Sequence, residues 1–286
     1  MRRRGTATAF GAATVLNAVA NWKGSAFGVD LKTSAEVILD GPPPVKGDVP
    51  GIDDRLIVRS VERVLERFGV VAGGVVRTWS DIPLARGLKS SSAAANAVVL
   101  ATLDALGEDL DPLEATRTGV AAAMDAGVTI TGAFDDAAAS MLGGVVVTDN
   151  RRLELLKREE MESEVLLLVP AEKIFSRETD VRRSRLLAPV AHTIFDLALA
   201  GDYPRAMTLN GLVYCSALRL SSDPIFAALG GGAKGASLSG TGPAYAALVE
   251  DENIGDVEAA WLPLGGRVIR TKVNNRGSIK GPGWRR

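Results

Sequence analysis

The apolar positions change period several times along the chain, and each change marks an element. Thr6 to Ala13 alternates small apolar and polar side chains, the two-residue period of a strand with one buried face. Ala26 to Leu31 and Ser34 to Leu39 repeat that pattern, behind a polar loop of Asn17, Asn21, Lys23 and Gly24. Gly41-Pro42-Pro43-Pro44 through Gly51 reads as a turn-rich surface loop. From Asp54 to Phe68 the period becomes helical: Leu56, Ile57, Val61, Val64, Leu65 and Phe68 share one face of an amphipathic helix. Gly74 to Trp79 is strand-like again.

Ser91 to Leu106 is almost wholly apolar and alanine-rich, which predicts a buried helix stopped at Gly107. Leu113 to Ala126 predicts a second helix closed by Gly127. Ala137 to Leu142 predicts a short one, turned by Gly143-Gly144 into the strand Val145 to Thr148. Asn150 to Glu164 is dense in charge and reads as a hairpin or connector at a domain boundary. Beyond it come a strand at Val165 to Val169 and helices over Arg177 to Ala200, broken near Pro189, and Tyr203 to Leu220. The strands Ala236 to Leu238 and Tyr245 to Val249 flank a glycine-rich turn, and Gly266 to Val273 is the last strand. Alternation of this kind makes an α/β or α+β protein, divided into residues 1–150 and 151–286.

Composition narrows the chemistry. Aromatic residues are 5% of the 286, so the core is expected to be aliphatic and alanine-rich. Lys and Arg number 33 against 34 Asp and Glu, a balance that argues against a nucleic-acid partner. Cys215 and His192 are the only cysteine and histidine, which excludes an internal disulfide and any cysteine-cluster or multi-histidine metal centre. Arg2-Arg3-Arg4 imitates the start of a leader peptide, but Gly5, Thr6, Thr8, Gly11, Thr14 and Asn17 interrupt the apolar stretch that should follow. With no apolar run near the ~20 residues of a membrane helix, a cytoplasmic protein without a membrane partner is expected.

The most informative segment is Pro83-Leu84-Ala85-Arg86-Gly87-Leu88-Lys89-Ser90-Ser91-Ser92-Ala93, which couples a strand, a Gly87 turn and three hydroxyls to the start of a long helix. The first amides of a helix are unsatisfied donors, and the macrodipole adds positive potential, so the segment offers a phosphate site. Ser91 could also ligate a magnesium ion, which prefers hard oxygens, and Lys89 supplies a mobile positive charge. Serines that merely cap a buried helix are the plainer alternative. No G-x-x-x-x-G-K-[ST] string occurs.

At these residues the sequence resembles the GHMP kinase superfamily, whose P-x-x-x-G-L-x-S-S-x-A motif is matched from Pro83 to Ala93. Gly132 to Gly144, containing Asp135-Asp136, resembles that family's acidic segment, and Ala236-Ser237-Leu238-Ser239-Gly240-Thr241-Gly242-Pro243 its C-terminal glycine-rich motif. Within the superfamily, Gly11 to Ala20, Lys23 to Leu31, Thr131 to Asp136 and Thr271-Lys272-Val273-Asn274-Asn275 resemble the archaeal-type shikimate kinases. Trp22 and Arg86 depart from the small residues of that pattern, and Ile279 to Arg286 falls outside it.

The resemblance implies a two-domain α+β GHMP kinase fold: an N-terminal α/β domain carrying the glycine-serine loop, and a ferredoxin-like C-terminal α+β domain. It also implies phosphoryl transfer from ATP, with Mg2+, to the 3-hydroxyl of shikimate. Counting back from Gly143-Gly144, Asp136 takes the place of the family's catalytic aspartate, with Asp135 as the fallback; helix capping is the alternative for both. Asp125 is the positional match to a magnesium-binding carboxylate, against a solvated helix-end aspartate. Asn17, Lys23, Gly240, Thr241 and Gly242 are assigned to the substrate, Lys23 for its carboxylate.

Other readings remain open on the residues alone. Another GHMP kinase, for homoserine, would share the loop. Gly230-x-Gly232-x-x-Gly235 fits a dinucleotide fingerprint as a string but follows a helix-like stretch, so a flexible turn is expected there. A nucleotide-binding module without turnover would share the phosphate site.

Overall fold

The computed structural model describes residues 3–51, 53–129, 132–171 and 181–281. Two long strands, β1 (Arg3–Leu16) and β2 (Lys23–Gly41), pair antiparallel along most of their length. The two apolar stretches at 26–31 and 34–39 are therefore one strand, and the register shift opposite Phe10 and Gly11 accommodates the break between them. β3 (Val45–Gly47) runs parallel to β4 (Gly73–Ser80), so the proline-rich loop carries a short strand where only turns were expected. Its edge position tolerates the neighbouring prolines.

Three helices follow the expected pattern: α1 (Arg55–Arg67), α2 (Ser90–Leu106) and α3 (Pro112–Asp125). α2 packs along β1 and β2, and its alanines (Ala93, Ala97 and Ala101, all inaccessible) let its backbone approach the sheet closely. α4 (Phe134–Leu142) begins three residues earlier than its sequence pattern, for a reason that lies in the site. β5 (Val145–Asp149) pairs with β2 and with β6 (Glu154–Glu159), so the charged stretch after residue 150 contains a strand of the first sheet.

The second unit begins at β7 (Glu164–Val169) and continues through α5 (Val181–Arg185), α6 (Ala188–Ala200), α7 (Tyr203–Leu218) and α8 (Asp223–Gly230). The helix expected from Arg177 is thus two helices; its first residues lie outside the described ones. β8 (Gly235–Leu238), β9 (Tyr245–Val249), α9 (Ile254–Trp261) and β10 (Arg267–Lys272) complete it. The antiparallel order β10-β7-β9-β8, with helices between the first and second and between the third and fourth strands, is the ferredoxin-like βαββαβ arrangement. β11 (Ile279–Lys280) then returns to pair with β1.

One apolar core joins the units: Ala13, Val15 and Phe27 of the first sheet cluster with Val165, Leu167, Ile194, Met207 and Leu248 of the second. Alanines and aliphatic residues dominate the buried positions, as the composition requires. Cys215 is a free thiol in the second unit's core, and burial pushes its pKa up to about 11. His192 is exposed and stacks on Phe195. Among the described residues no helix is long and apolar enough to cross a membrane.

Candidate active site

The glycine-serine loop ends where α2 begins. Lys89 is the N-cap in left-handed geometry (φ 64°), and Ala93 N makes the first intrahelical bond, to Lys89 O. The amides of Ser90, Ser91 and Ser92 are therefore free of intrahelical partners, at the positive end of a 17-residue helix. Ala85 is also left-handed (φ 54°). Non-glycine residues held there cost about 1–3 kcal/mol each and cluster where a site needs a particular backbone.

The loop is locked from behind by the glycine-rich turn of the second unit. Ser239 Oγ donates to Gly87 O at 2.8 Å, and Ala244 N donates to Arg86 O at 3.0 Å. Gly87 has φ 82°, and a Cβ there would lie 2.1 Å from Ser239 O. Gly87→Ala therefore combines a left-handed penalty of about 1–2 kcal/mol with a backbone collision that forces the two loops apart. We expect a lowered melting temperature and weakened ATP binding; calorimetric titration and a thermal scan of the variant check both.

Loop, turn and helices enclose a cleft of about 670 Å³. Leu84, Ala85, Gly87, Lys89, Ser90, Ser91 and Ser92 line it, as do Asp135, Asp136, Gly240, Thr241 and Asn17. Four loop residues stand back: Leu88 and Ala93 are core, Pro83 is half-buried outside the lining, and Arg86 turns away to donate from Nη2 to Ala171 O at 2.6 Å. Gly242 also lies outside the lining, where its N–H closes the turn onto Ser239 O.

Asp135 and Asp136 sit in the first turn of α4, not ahead of it. The N-cap residue, Ala133, is left-handed (φ 48°) and has no side chain to cap the helix. The cap comes from the turn just after β5: Asn150 Oδ1 accepts from Asp135 N at 3.2 Å, and Asn150 Nδ2 donates to Asp135 Oδ1 at 2.7 Å. That distant amide explains the early start of the helix, and no local signal announces it. Asn96 of α2 fixes the same turn by donating to Ala137 O at 2.9 Å.

The two carboxylates are unequal. Asp135 is 4% exposed, and burial, reinforced by the charge of Asp136, pushes its carboxyl well above the usual range, against the pull of Lys89 and Asn150. Asp136 Oδ1 lies 2.9 Å from Lys89 Nζ, off the direction of a hydrogen bond, so this buried oxygen keeps an unused acceptor site. The Lys89 side chain is 7% exposed and thus a pinned counter-ion, not the mobile charge that the sequence suggested. The helix N-terminus adds positive potential at Asp136.

Three other site expectations are placed differently. Lys23 Nζ pairs with Asp149 at 2.6 Å and lies 5.6 Å from the Phe195 ring centroid, outside the cleft lining; Asp149 also caps the turn at Arg151 and Arg152. Asn17 does line the cleft, but its polar atoms are engaged: Nδ2 donates to Gly240 O at 2.9 Å and Oδ1 accepts from Val19 N at 2.9 Å. Asp125 is held by Arg59 and Arg63, each at 2.7 Å, on the α1–α3 face away from the cleft lining, and those guanidiniums, Arg63 first, lower its carboxyl to about 2. Gly230 to Gly235 is the turn between α8 and β8, outside the cleft lining.

The chain is similar to known proteins along nearly its whole length. The model of the GHMP kinases N terminal domain matches residues 55–144. The shikimate kinase of Methanothrix thermoacetophila is 65% identical over 278 residues, 97% of this chain and 96% of that protein. That of Methanosarcina mazei is 56% identical over 285 residues, covering 98% and 97%. This chain belongs to the GHMP kinases, in the family of the archaeal shikimate kinases. Solved GHMP kinase structures share its fold at low identity. Homoserine kinase from Cytophaga hutchinsonii superposes with a TM-score of 0.75 at 19% identity, covering 98% of both chains. Mevalonate kinase from Methanococcus jannaschii gives 0.73 at 15%, covering 96% of this chain and 98% of that one. In this GHMP kinase the acidic segment lies within the matched residues, whereas the Ser239–Gly242 turn that completes the cleft lies beyond them.

Proposed function

We propose that this protein is an ATP-dependent shikimate kinase, which phosphorylates the 3-hydroxyl of shikimate on the route to chorismate. The observation that supports this reading is the open amide end of α2 lining the same cleft as Asp136, in a chain 56–65% identical to proteins named shikimate kinase. The Cytophaga hutchinsonii homoserine kinase and the Methanococcus jannaschii mevalonate kinase share its fold at 19% and 15% identity.

In this reading the amides of Ser90 to Ser92 and the α2 dipole hold the phosphates. Gly240 and Thr241 close the cleft over the acceptor. Asp136 takes the proton from the acceptor hydroxyl as its oxygen bonds to the γ-phosphorus and the bond to the ADP oxygen breaks. Among the described residues no three acidic, histidine or cysteine side chains gather into a metal cage. Magnesium needs only one or two protein oxygens beside the nucleotide's phosphates, and the Ser91 hydroxyl at the start of α2 is a donor of that kind. When bound, Mg2+ neutralises phosphate charge. Asp125, neutralised by two arginines, has no part in this reading.

We divide the work at the start of β7, with nucleotide loop and acidic pair before it and the closing turn after it, because β6 carries the first sheet past the expected boundary at residue 150. A biosynthetic kinase drawing on ATP belongs in the cytoplasm. The test is ADP release from Mg-ATP with shikimate, homoserine, mevalonate and no acceptor. Shikimate alone should accelerate release. Acceleration by another alcohol would keep the kinase and discard the acceptor, and tight ATP binding without release would reduce the protein to a nucleotide-binding module.

A further inference from the structure

The mechanism above uses one of two adjacent carboxylates. The other is too deliberately housed to be filler. Asp135 lies at the back of the cleft, and Asn150 grips both its backbone and its side chain. Asn150 is itself 2% exposed and held on two sides: Thr148 Oγ1 donates to its Oδ1 at 2.8 Å, and its N–H donates to Trp22 O at 2.8 Å. Gly24 makes room for the pair, since a Cβ there would lie 2.6 Å from Asp135 Cγ. Asp135 therefore occupies a fitted pocket between α4, β2 and β5.

We propose that Asp135 and Asn150 are positioning residues for Asp136, fixing the first turn of α4 and leaving a single anionic carboxylate toward the acceptor hydroxyl. This rests on the phosphoryl-transfer reading above. The charges around Asp135 support the division. Lys89 is already paired with Asp136, and Lys23 with Asp149. Tyr214, whose hydroxyl donates to Asn17 O, adds no positive charge. A second anion beside Asp136 would have to share Lys89 with it and would face the incoming polyphosphate. Burial pushes the Asp135 carboxyl toward the neutral acid, against the pull of Lys89 and of the hydrogen bond that Asn150 Nδ2 donates to its Oδ1.

Asparagine is nearly isosteric with a protonated aspartic acid, so Asp135→Asn separates shape from ionisation. A buried acid whose pKa is raised on folding contributes stability below its unfolded value, about 4, and loses it as pH climbs to the folded value. The amide loses nothing over that window. The melting temperature of Asp135→Asn relative to the parent should therefore rise as pH goes from about 4 toward neutrality. Its kcat should stay within about tenfold of the parent's. Asn150→Ala, which frees the turn, should lower kcat about 10- to 100-fold with KM for ATP unchanged, the signature of a displaced reacting group.

Three results would overturn the proposal: Asp135→Asn as inactive as Asp136→Asn, a melting difference flat with pH, or Asn150→Ala with the parent's kcat. No acceptor-dependent turnover by the parent chain, with any alcohol, would instead sink the kinase reading. The melting series decides the proton on Asp135 in either case.

Discussion

Asp136→Asn should abolish turnover while ATP binding stays close to that of the parent chain. The substitution keeps size and removes only the ability to accept a proton and to carry charge. General-base contributions are typically about 10²–10⁴ in rate, so kcat should fall by about that much. ATP binding should largely survive because the amides of Ser90 to Ser92 belong to another helix, braced by Ser239 against Gly87, although Lys89 at its N-cap loses its ion pair. Parallel measurement of kcat by ADP release and of ATP affinity by calorimetry checks the prediction. Normal turnover in the Asn variant would remove Asp136 as the base. Equal loss of turnover and affinity would make it part of the nucleotide site instead.

The second large effect is expected at Lys89. Lys89→Met removes the counter-ion of Asp136, and one change should damage both fold and chemistry. Breaking a fully buried ion pair costs about 3–5 kcal/mol. Asp136 faces the cleft at 14% side-chain exposure, so water recovers part of that, and a loss of about 1–3 kcal/mol is expected. The activity loss should approach that of Asp136→Asn, because an unpaired carboxylate between a buried acid and the nucleotide's phosphates is repelled from its position. Lys89→Arg should restore charge and part of the stability but little turnover. A Cβ on Gly240 would lie 2.8 Å from Lys89 Nζ, so the wider guanidinium has no room at that contact. Thermal scans and kcat for the two variants test this, and full activity in Lys89→Met would show that the pair is incidental.

Much of this site is written in short stretches of sequence. Pro83 to Ala93 reads as a candidate phosphate site because glycine, hydroxyls and a helix start are all local features, and α2 begins within one residue of its expected position. The distance from Gly143-Gly144 back to Asp136 is likewise local. Roles that depend on long-range partners were not legible. Lys23 looks available until β5 brings Asp149 to it, 126 residues away in sequence. Asp125 looks like a metal ligand until α1 presents Arg59 and Arg63. Asn150 looks like a turn residue after a valine-rich strand; only the β2–β5 pairing makes it the cap of a helix that begins 16 residues earlier.

The sequence by itself determined most of the elements, the two-part α+β character and the family, and marked the glycine-serine loop as a candidate site, because helical and strand periods and glycine-marked turns depend on neighbours a few residues apart. The tertiary structure alone decided how deeply Asp135 is buried and which cation serves Asp136. It also decided that the strand β6 and the returning β11 complete the first sheet. Those outcomes follow from burial and from pairing across the fold. A side chain's charge state and partner depend on which other groups are brought within about 3 Å and on how much water is left, and neither is encoded in spacing along the chain.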